Sequence, residues 1–529
     1  MRRKSYQGWT RLWGGVLVGG TLSMAGCQDL LSAELPHLLK DDAVEAAGSA
    51  RIQVYSAMAL FECSYTAFGL VALGPEDVMQ TLAGAAQQHS WAETPATGNC
   101  DTSPQNTTWF NPMMGGRLMI SSDPTKLAVT GIGASTGVYD RINGEWSLGA
   151  LGDTLSAVSA IYMAATLTHF GEFLCEGAID QSDLLAPPNM LGMAVEWTNR
   201  ALKHIENVGD FPIPFQPADA GGAWEMAVSI RSRAKWANRD FQGAADDAAA
   251  VLAANNSYTS WITRETGATR RNKIYYAATE VGYSGGLGIN NWWTGSKVNP
   301  VTNQPWPDTI PHTGYLFLGI MPDGRTLSGG NIPVLWANQQ RQNGQPVARD
   351  SGAVADTRVT TVYKQVQVGI QETPGRYSSE ADDIPYMTWE ELRLIIADNE
   401  LRLGNLQAAI DQVNLIRAAK SLPQVSGAYL TSLLASADAT RHMLLEERRR
   451  EFFAEGGRYW STKIQNTDLL WFPRFEGAAP GGFRYGGAVR VTMPLTEYER
   501  NPFFEQRGGL NARGSGCTDL FGDQVPHVI

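Results

Sequence analysis

Four glutamates crowd one short stretch, Glu446, Glu447, Glu451 and Glu455. Paired carboxylates are what acid–base cleavage of a glycosidic bond requires. Here, however, Arg448, Arg449, Arg450 and Arg458 share the stretch, and Glu446 and Arg450 stand i,i+4 with the acid first. That order favours pairing along a helix. The spacing therefore predicts solvated or ion-paired structural charge rather than proton-transfer groups. The seven histidines are scattered and no His-Glu-x-x-His occurs, so neither a metal nor another cofactor is expected. No Gly-x-Ser-x-Gly nucleophile turn or phosphate-binding loop is present. His169 continues the apolar face of a helix and reads as a core or interface histidine. The expectation is a protein that is not an enzyme.

The aromatic residues offer different chemistry. Sugars present apolar C–H faces ringed by hydroxyls, so a site for them needs flat aromatic platforms beside planar polar groups, which Tyr and Trp supply at small entropic cost. The segment Gly288 to Gly295 carries Asn291, Trp292 and Trp293, with Tyr283 upstream and Trp306 following in Asn303-Gln304-Pro305-Trp306. Trp109 with Asn111 forms a smaller candidate. The plain alternative for each indole is core packing beneath a long loop.

The elements that must carry these residues are mostly helices. Val54, Met58, Phe61, Tyr65 and Phe68 make one stripe after Asp41 and Asp42, and Gly74-Pro75 ends it. Further helices are predicted over 153–173 and 190–207. Two helix pairs follow, 224–238 with 244–254 and 389–402 with 408–419, each joined by a turn bearing a large residue, Phe241 or Leu406. They resemble tetratricopeptide units, whose alanines let helices approach closely. A helix is predicted over 443–460, with Gly456 and Gly457 as its stop. Residues 90–125 read as loop. Alternation predicts short strands through Val362, Val366, Val368 and Ile370, and through Val489, Val491 and Met493.

The 529-residue chain has a formal net charge of −11 and no basic block beyond its first residues, which argues against a nucleic-acid partner. Arg2, Arg3, Lys4 and Arg11 precede an apolar run, Leu12 to Leu22, too short to span a bilayer permanently. Leu22-Ser23-Met24-Ala25-Gly26-Cys27 resembles a bacterial lipobox. The expected product begins at Cys27, lipidated there and tethered through Gln28 to Pro36, after removal of a 1–26 signal peptide. Acyl chains give durable anchoring at about 0.8 kcal/mol per buried CH₂. Four further cysteines sit in a chain expected to be exported, where disulfides are permitted. Of three possible pairings we take Cys63–Cys100 and Cys175–Cys517, with buried thiols as the alternative.

The order Glu447-Arg448-Arg449-Arg450-Glu451-Phe452-Phe453, then Glu455-Gly456, Arg458-Tyr459-Trp460 and Lys463, resembles the signature helix of the SusD/RagB family of outer-membrane nutrient-binding lipoproteins. The preceding pair, with Glu391, Arg393, Ala397, Glu400, Leu403-Gly404-Asn405, Ala408-Ala409, Asn414 and Arg417, is similar to that family's helix pair. Asp356-Thr357-Arg358 resembles its Asp-Pro-Arg step with Thr in place of Pro, and Val491 to Leu495, Glu497 and Asn501-Pro502 its closing motif. The resemblance implies a single SusD-like domain over 27–529, mostly α, built on tetratricopeptide-like helix pairs with a few short strands and irregular insertions at about 80–150, 255–350 and 465–529. It implies a scaffold role for the signature helix. It further implies capture of a glycan, or of a peptide or other oligomeric nutrient, at the cell exterior and delivery to a TonB-dependent SusC-like transporter. The alternative is a helical-repeat scaffold lipoprotein of an envelope complex with no small ligand.

Overall fold

The computed structural model describes residues 45–76, 78–81, 104–122, 136–180, 184–267, 270–279, 287–289, 316–328, 354–366, 369–470 and 489–501. The lipobox, Cys27 and its tether lie outside them. By contacts the chain divides into Met1–Ser49 and Ala50–Ile529, and the α-helices and strands of the fold belong to the second unit.

The first half is a stack of helices. α1 (Ala50–Ala72) packs on α2 (Pro104–Ile120), the short α3 (Val138–Gly144) follows, and α4 (Ala150–Phe173) packs on α5 (Pro187–Val208). α4 is buried around its whole circumference from Leu155 to Phe173, as expected of a helix apolar on all sides. This is broader than the single face that its sequence periodicity picks out.

α2 is where composition misleads. Its Thr, Asn, Pro and Gly content predicts loop, yet the segment is helical through Pro112. Trp109, Phe110, Met113 and Ile120 recur at helical spacing and are fully buried. Gly116 lets α2 approach α1, since a Cβ there would lie 3.1 Å from the Ala57 carbonyl oxygen. Tertiary packing overrides local propensity here.

Two helix pairs continue the stack at the positions predicted: α6 (Ala223–Ala237) with α7 (Phe241–Ala254), and, beyond several short strands, α9 (Trp389–Arg402) with α10 (Leu406–Ala419). Asp240 caps α7 by accepting from the Gly243 N–H at 3.0 Å. Thr388 caps α9 through the Glu391 N–H. α8 (Lys273–Thr279) lies between the pairs in sequence.

The sheets are small and antiparallel. β1 (Met79–Thr81) pairs with β3 (Leu287–Ile289), and β2 (Thr259–Ile262) with β9 (Ile384–Thr388). β4 (Leu316–Ile320) joins β5 (Thr326–Ser328) and β6 (Val354–Ala355), while β7 (Thr361–Val366) and β8 (Gly369–Pro374) form a hairpin. The alternation through Val362, Val366 and Ile370 thus belongs to two strands; Val368 lies outside the described residues. Val489, Val491 and Met493 are buried but form no named strand: Val491 makes one bridge to Leu174 at the end of α4.

α11 (Gly427–Leu434) precedes α12 (Ala437–Glu451), α13 (Arg458–Gln465) and α14 (Leu495–Arg500). The predicted helix over 443–460 is therefore two helices. Ala454, Gly456 and Gly457 all have positive φ, which no right-handed helix accommodates. The turn is held from outside, the Tyr65 hydroxyl donating to the Glu455 carbonyl and the Tyr377 hydroxyl to that of Ala454.

The apolar interior has two parts. The larger one gathers α1, α2 and α4 to α7 with Phe453, Trp460 and Val491. A smaller one lies under α9 to α12, with Leu444, Leu445 and Phe452.

Gly457 has φ +105, and a Cβ there would fall 2.8 Å from Phe68 Cε1 and 3.0 Å from Phe173 Cζ. Gly404 has φ +82 with open space around it. We expect Gly457→Ala to destabilise the protein by about 2–4 kcal/mol in urea unfolding, combining backbone and packing costs. Gly404→Ala should lose only about 1–2 kcal/mol. Equal losses would mean that the close approach to Phe68 is not realised.

Candidate functional site

Every residue from Met443 to Thr467 is buried, including all the charged ones. Burying charges is costly unless each finds a partner, and the partners come from distant segments. Arg450 Nε donates to Glu446 at 2.7 Å along α12, and its Nη1 to Asp356 at 3.2 Å. Asp356 also accepts from Arg358 through the main-chain N–H, Nε and Nη2, at 2.8 to 3.1 Å. Arg358 Nη1 reaches Glu447 at 2.5 Å and Glu451 at 3.3 Å. Arg417 on α10 grips Glu447 with Nε and Nη2, the latter at 2.7 Å, and also donates to the Gly324 and Pro423 carbonyls. Lys420 bridges Glu390 at 2.9 Å and Glu451 at 3.1 Å. Arg376 pairs with Glu455. Across the turn, Arg458 binds Glu172 of α4 at 3.0 Å, and Arg233 of α6 binds Glu391.

Electrostatics follow from this pairing. Burial alone would raise Asp356, but Arg358 and Arg450 hold its carboxyl well below the usual range. Glu447 is likewise lowered, burial being outweighed by Arg358 and Arg417. Other acids go the other way. Burial pushes Glu455 up to about 8 despite Arg376. It pushes Glu76 to about 8 although the Tyr459 N–H donates to it at the start of α13.

Beside this cluster opens a cleft of about 590 Å³. Trp261 and Pro385 line it from the β2–β9 pair; Thr357, Arg358 and Thr360 from the segment before β7; Arg376, Tyr377, Asp382 and Asp383 from the stretch after β8; and Lys420 from the end of α10. The acids at its mouth are engaged. Asp382 accepts from the N–H and hydroxyl groups of Ser378 and Ser379, and Asp383 from the Arg264 N–H. Burial raises the Asp383 carboxyl, whereas at Asp382 burial is outweighed by the hydrogen bonds from Ser378 and Ser379, which lower it. Among the described residues, no group of three or more His, Cys, Asp or Glu could hold a metal ion.

The predicted site residues fare unequally. Tyr283, Asn291, Trp292, Trp293 and Trp306 lie outside the described residues. Trp109 is a correction: it is 0% exposed, packed edge-on against Phe68 and His169, so it cannot stack on a ligand. His169 is a core residue in that aromatic cluster, and burial keeps its pKa well below the usual value. The Cys63–Cys100 pairing is also corrected, because Cys63 keeps its thiol. Cys175 is disulfide-bonded. The glutamates of α12 are ion-paired, as spacing predicts, but they are buried rather than solvated. Sequence reasoning missed Trp261, Arg376 and Lys420 as cleft residues, since nothing local connects them.

Two outcomes are expected for the cluster. Arg417→Met leaves Glu447 short of a partner and should cost about 3–5 kcal/mol in chemical unfolding. A loss below about 1 kcal/mol would show that water replaces the guanidinium. For Glu76, a raised carboxyl stabilises the fold at low pH, and that contribution fades as pH rises from about 4.5 toward 8. Glu76 Oε2 is buried without a hydrogen-bond partner, so Gln keeps the shape of the protonated form. The melting temperature of Glu76→Gln should therefore fall less than that of the wild type between pH 5.5 and 8.5. Parallel curves would contradict the assignment.

Residues 323–463, which contain α9 to α12 and most of the cluster, match the model of the SusD family. No curated protein matches the chain. Among solved structures, a SusD superfamily protein of Bacteroides vulgatus ATCC 8482 superposes with a TM-score of 0.54 at 10% identity, covering 86% of this chain and 97% of that one. A candidate sugar-binding protein of the same organism gives 0.51 at 12% identity, with the same coverage. At these identities the likeness is one of fold. The family match over residues 323–463 and the SusD-like fold of the described chain agree with each other.

Proposed function

We propose that this protein is a lipid-anchored outer-membrane protein that binds a glycan, or another oligomeric nutrient, outside the cell and passes it to a TonB-dependent SusC-like transporter. The observation that carries the reading is the family match over the segment whose buried charges tie α9 to α12 to the rest of the stack. The lipobox before Cys27 supports the anchor, and the indole-rich stretch around Trp292 and Trp293 supplies platforms suited to sugar rings.

Binding without cleavage is favoured by the state of the acids. Near the cleft Asp382 is occupied by Ser378 and Ser379, Glu451 by Arg358 and Lys420, and Asp383 accepts from the Arg264 N–H.

Trp292→Ala with Trp293→Ala should weaken binding on a glycan array at least tenfold, about 1.4 kcal/mol. Undiminished binding would remove these two residues from the site. Cys27→Ala should move the protein from the membrane to the soluble fraction; retention in the membrane would refute the anchor. Affinity purification from native membranes should recover a large β-barrel. Recovery of periplasmic assembly factors alone would favour the scaffold alternative.

A further inference from the structure

The cleft beside the ion-pair cluster contains one residue whose placement needs explanation. In the β2–β9 pair the register slips between Ser260 and Trp261. Bulges of this kind re-aim a side chain. Trp261 faces Pro385, which has no N–H to offer the ladder. Its main-chain groups are bonded by a side chain instead: Gln216 Nε2 donates to the Trp261 carbonyl at 2.7 Å, and the Trp261 N–H donates to Gln216 Oε1 at 2.8 Å. Gln216 in turn follows Phe215, a non-glycine residue at φ +66. A strained loop and a bulge together hold a half-buried indole along the cleft wall. Strain of this order, about 1–3 kcal/mol, persists where surrounding structure enforces it and clusters at ligand sites.

The cleft also presents cations. The Arg376 and Lys420 side chains are 20% and 25% exposed, whereas Arg358 beneath them is only 3% exposed. Both are held from behind by buried acids. Lys420 has two carboxylate partners and three donors, so one N–H remains for a ligand. Asp382 keeps its charge, with its oxygens occupied by hydrogen bonds from Ser378 and Ser379, and Asp383 accepts from the Arg264 N–H. Thr357, exposed at the rim, adds a hydroxyl.

An apolar wall opposite partly exposed cations fits a ring with an aliphatic face and an anionic substituent. We propose that this cleft is a saccharide site in its own right and that it takes a sugar bearing a carboxylate, such as a hexuronate unit. Its saccharide half rests on the proposed glycan-binding function; its anionic half rests on Arg376 and Lys420 alone.

The test is calorimetric titration of the mature protein with tri-galacturonate and, separately, with neutral galactotriose. The wild type should bind the acidic trimer at least tenfold more tightly. Trp261→Ala should reduce that affinity at least tenfold, and Lys420→Gln should erase the preference for the acid. Thr357→Tyr changes an exposed side chain outside the ion-pair cluster and should block the cleft with an unchanged melting temperature. It therefore tests the site even if the other variants prove unstable. Absence of tri-galacturonate binding, equal binding of both trimers, or full binding by Thr357→Tyr would overturn the proposal. In that case neutral glycans bound through the tryptophan loop would still uphold the functional reading, whereas a wild type that bound no saccharide at all would end both.

Discussion

The structure depends on the neutralisation of a charged helix inside the protein. α12 contributes Glu446, Glu447, Arg448, Arg449, Arg450 and Glu451, and all are buried. An ion leaving water for an apolar interior loses several kcal/mol, and a single partner rarely compensates fully. Here the compensation is shared. Asp356 serves two arginines, Arg358 serves three acids, and Glu447 serves two guanidinium groups. Asp356, Arg358 and Glu447 each draw partners from more than one element, so α12 settles where α10 and the segment around Asp356 already converge. The arrangement trades net stability for definition of geometry. The same chain segments also form the walls of the cleft.

How much of this can be read from the sequence depends on how local the signal is. The helix pairs are readable because their periodicity, turns and caps lie within a few residues of one another, as in Thr388 before α9 and Asp240 before α7. The pairing of Glu446 with Arg450 is readable for the same reason. α2 is not, because its stability comes from Trp109 and Phe110 meeting Phe68 and Phe170 on other helices, and its own composition opposes it. The break after α12 is signalled by Gly456 and Gly457, but the left-handed Ala454 is not, since alanine seldom adopts that conformation.

The cleft is the least readable part. Trp261, Arg376 and Lys420 come from separate elements, and nothing in their local surroundings marks any of them. What joins them is the path of the backbone. Trp261 is aimed by an irregular ladder, Arg376 is drawn in by Glu455, and Lys420 sits where α10 ends against α12. The Asp356-Thr357-Arg358 step is legible as a motif, but its role as the hinge between buried cluster and open cleft emerges only from the fold. Cysteine pairing is opaque for a related reason, since spacing along the chain says little about which thiols meet.

The turn between α12 and α13 has a consequence for how the molecule is assembled. Tyr65 meets Glu455 across 390 positions, Lys463 meets the Pro75 carbonyl across 388, and Arg458 meets Glu172 across 286. The amino-terminal helices therefore cannot close their interior until the last fifth of the chain has arrived. Contacts of such sequence separation fold slowly, and leave apolar surface uncovered while they wait. In a nascent chain ending before residue 450, Phe68 and Phe173 would lack the Trp460 ring and Glu172 its arginine, so α1 and α4 keep an uncovered aromatic face until the carboxy-terminal clasp closes over it.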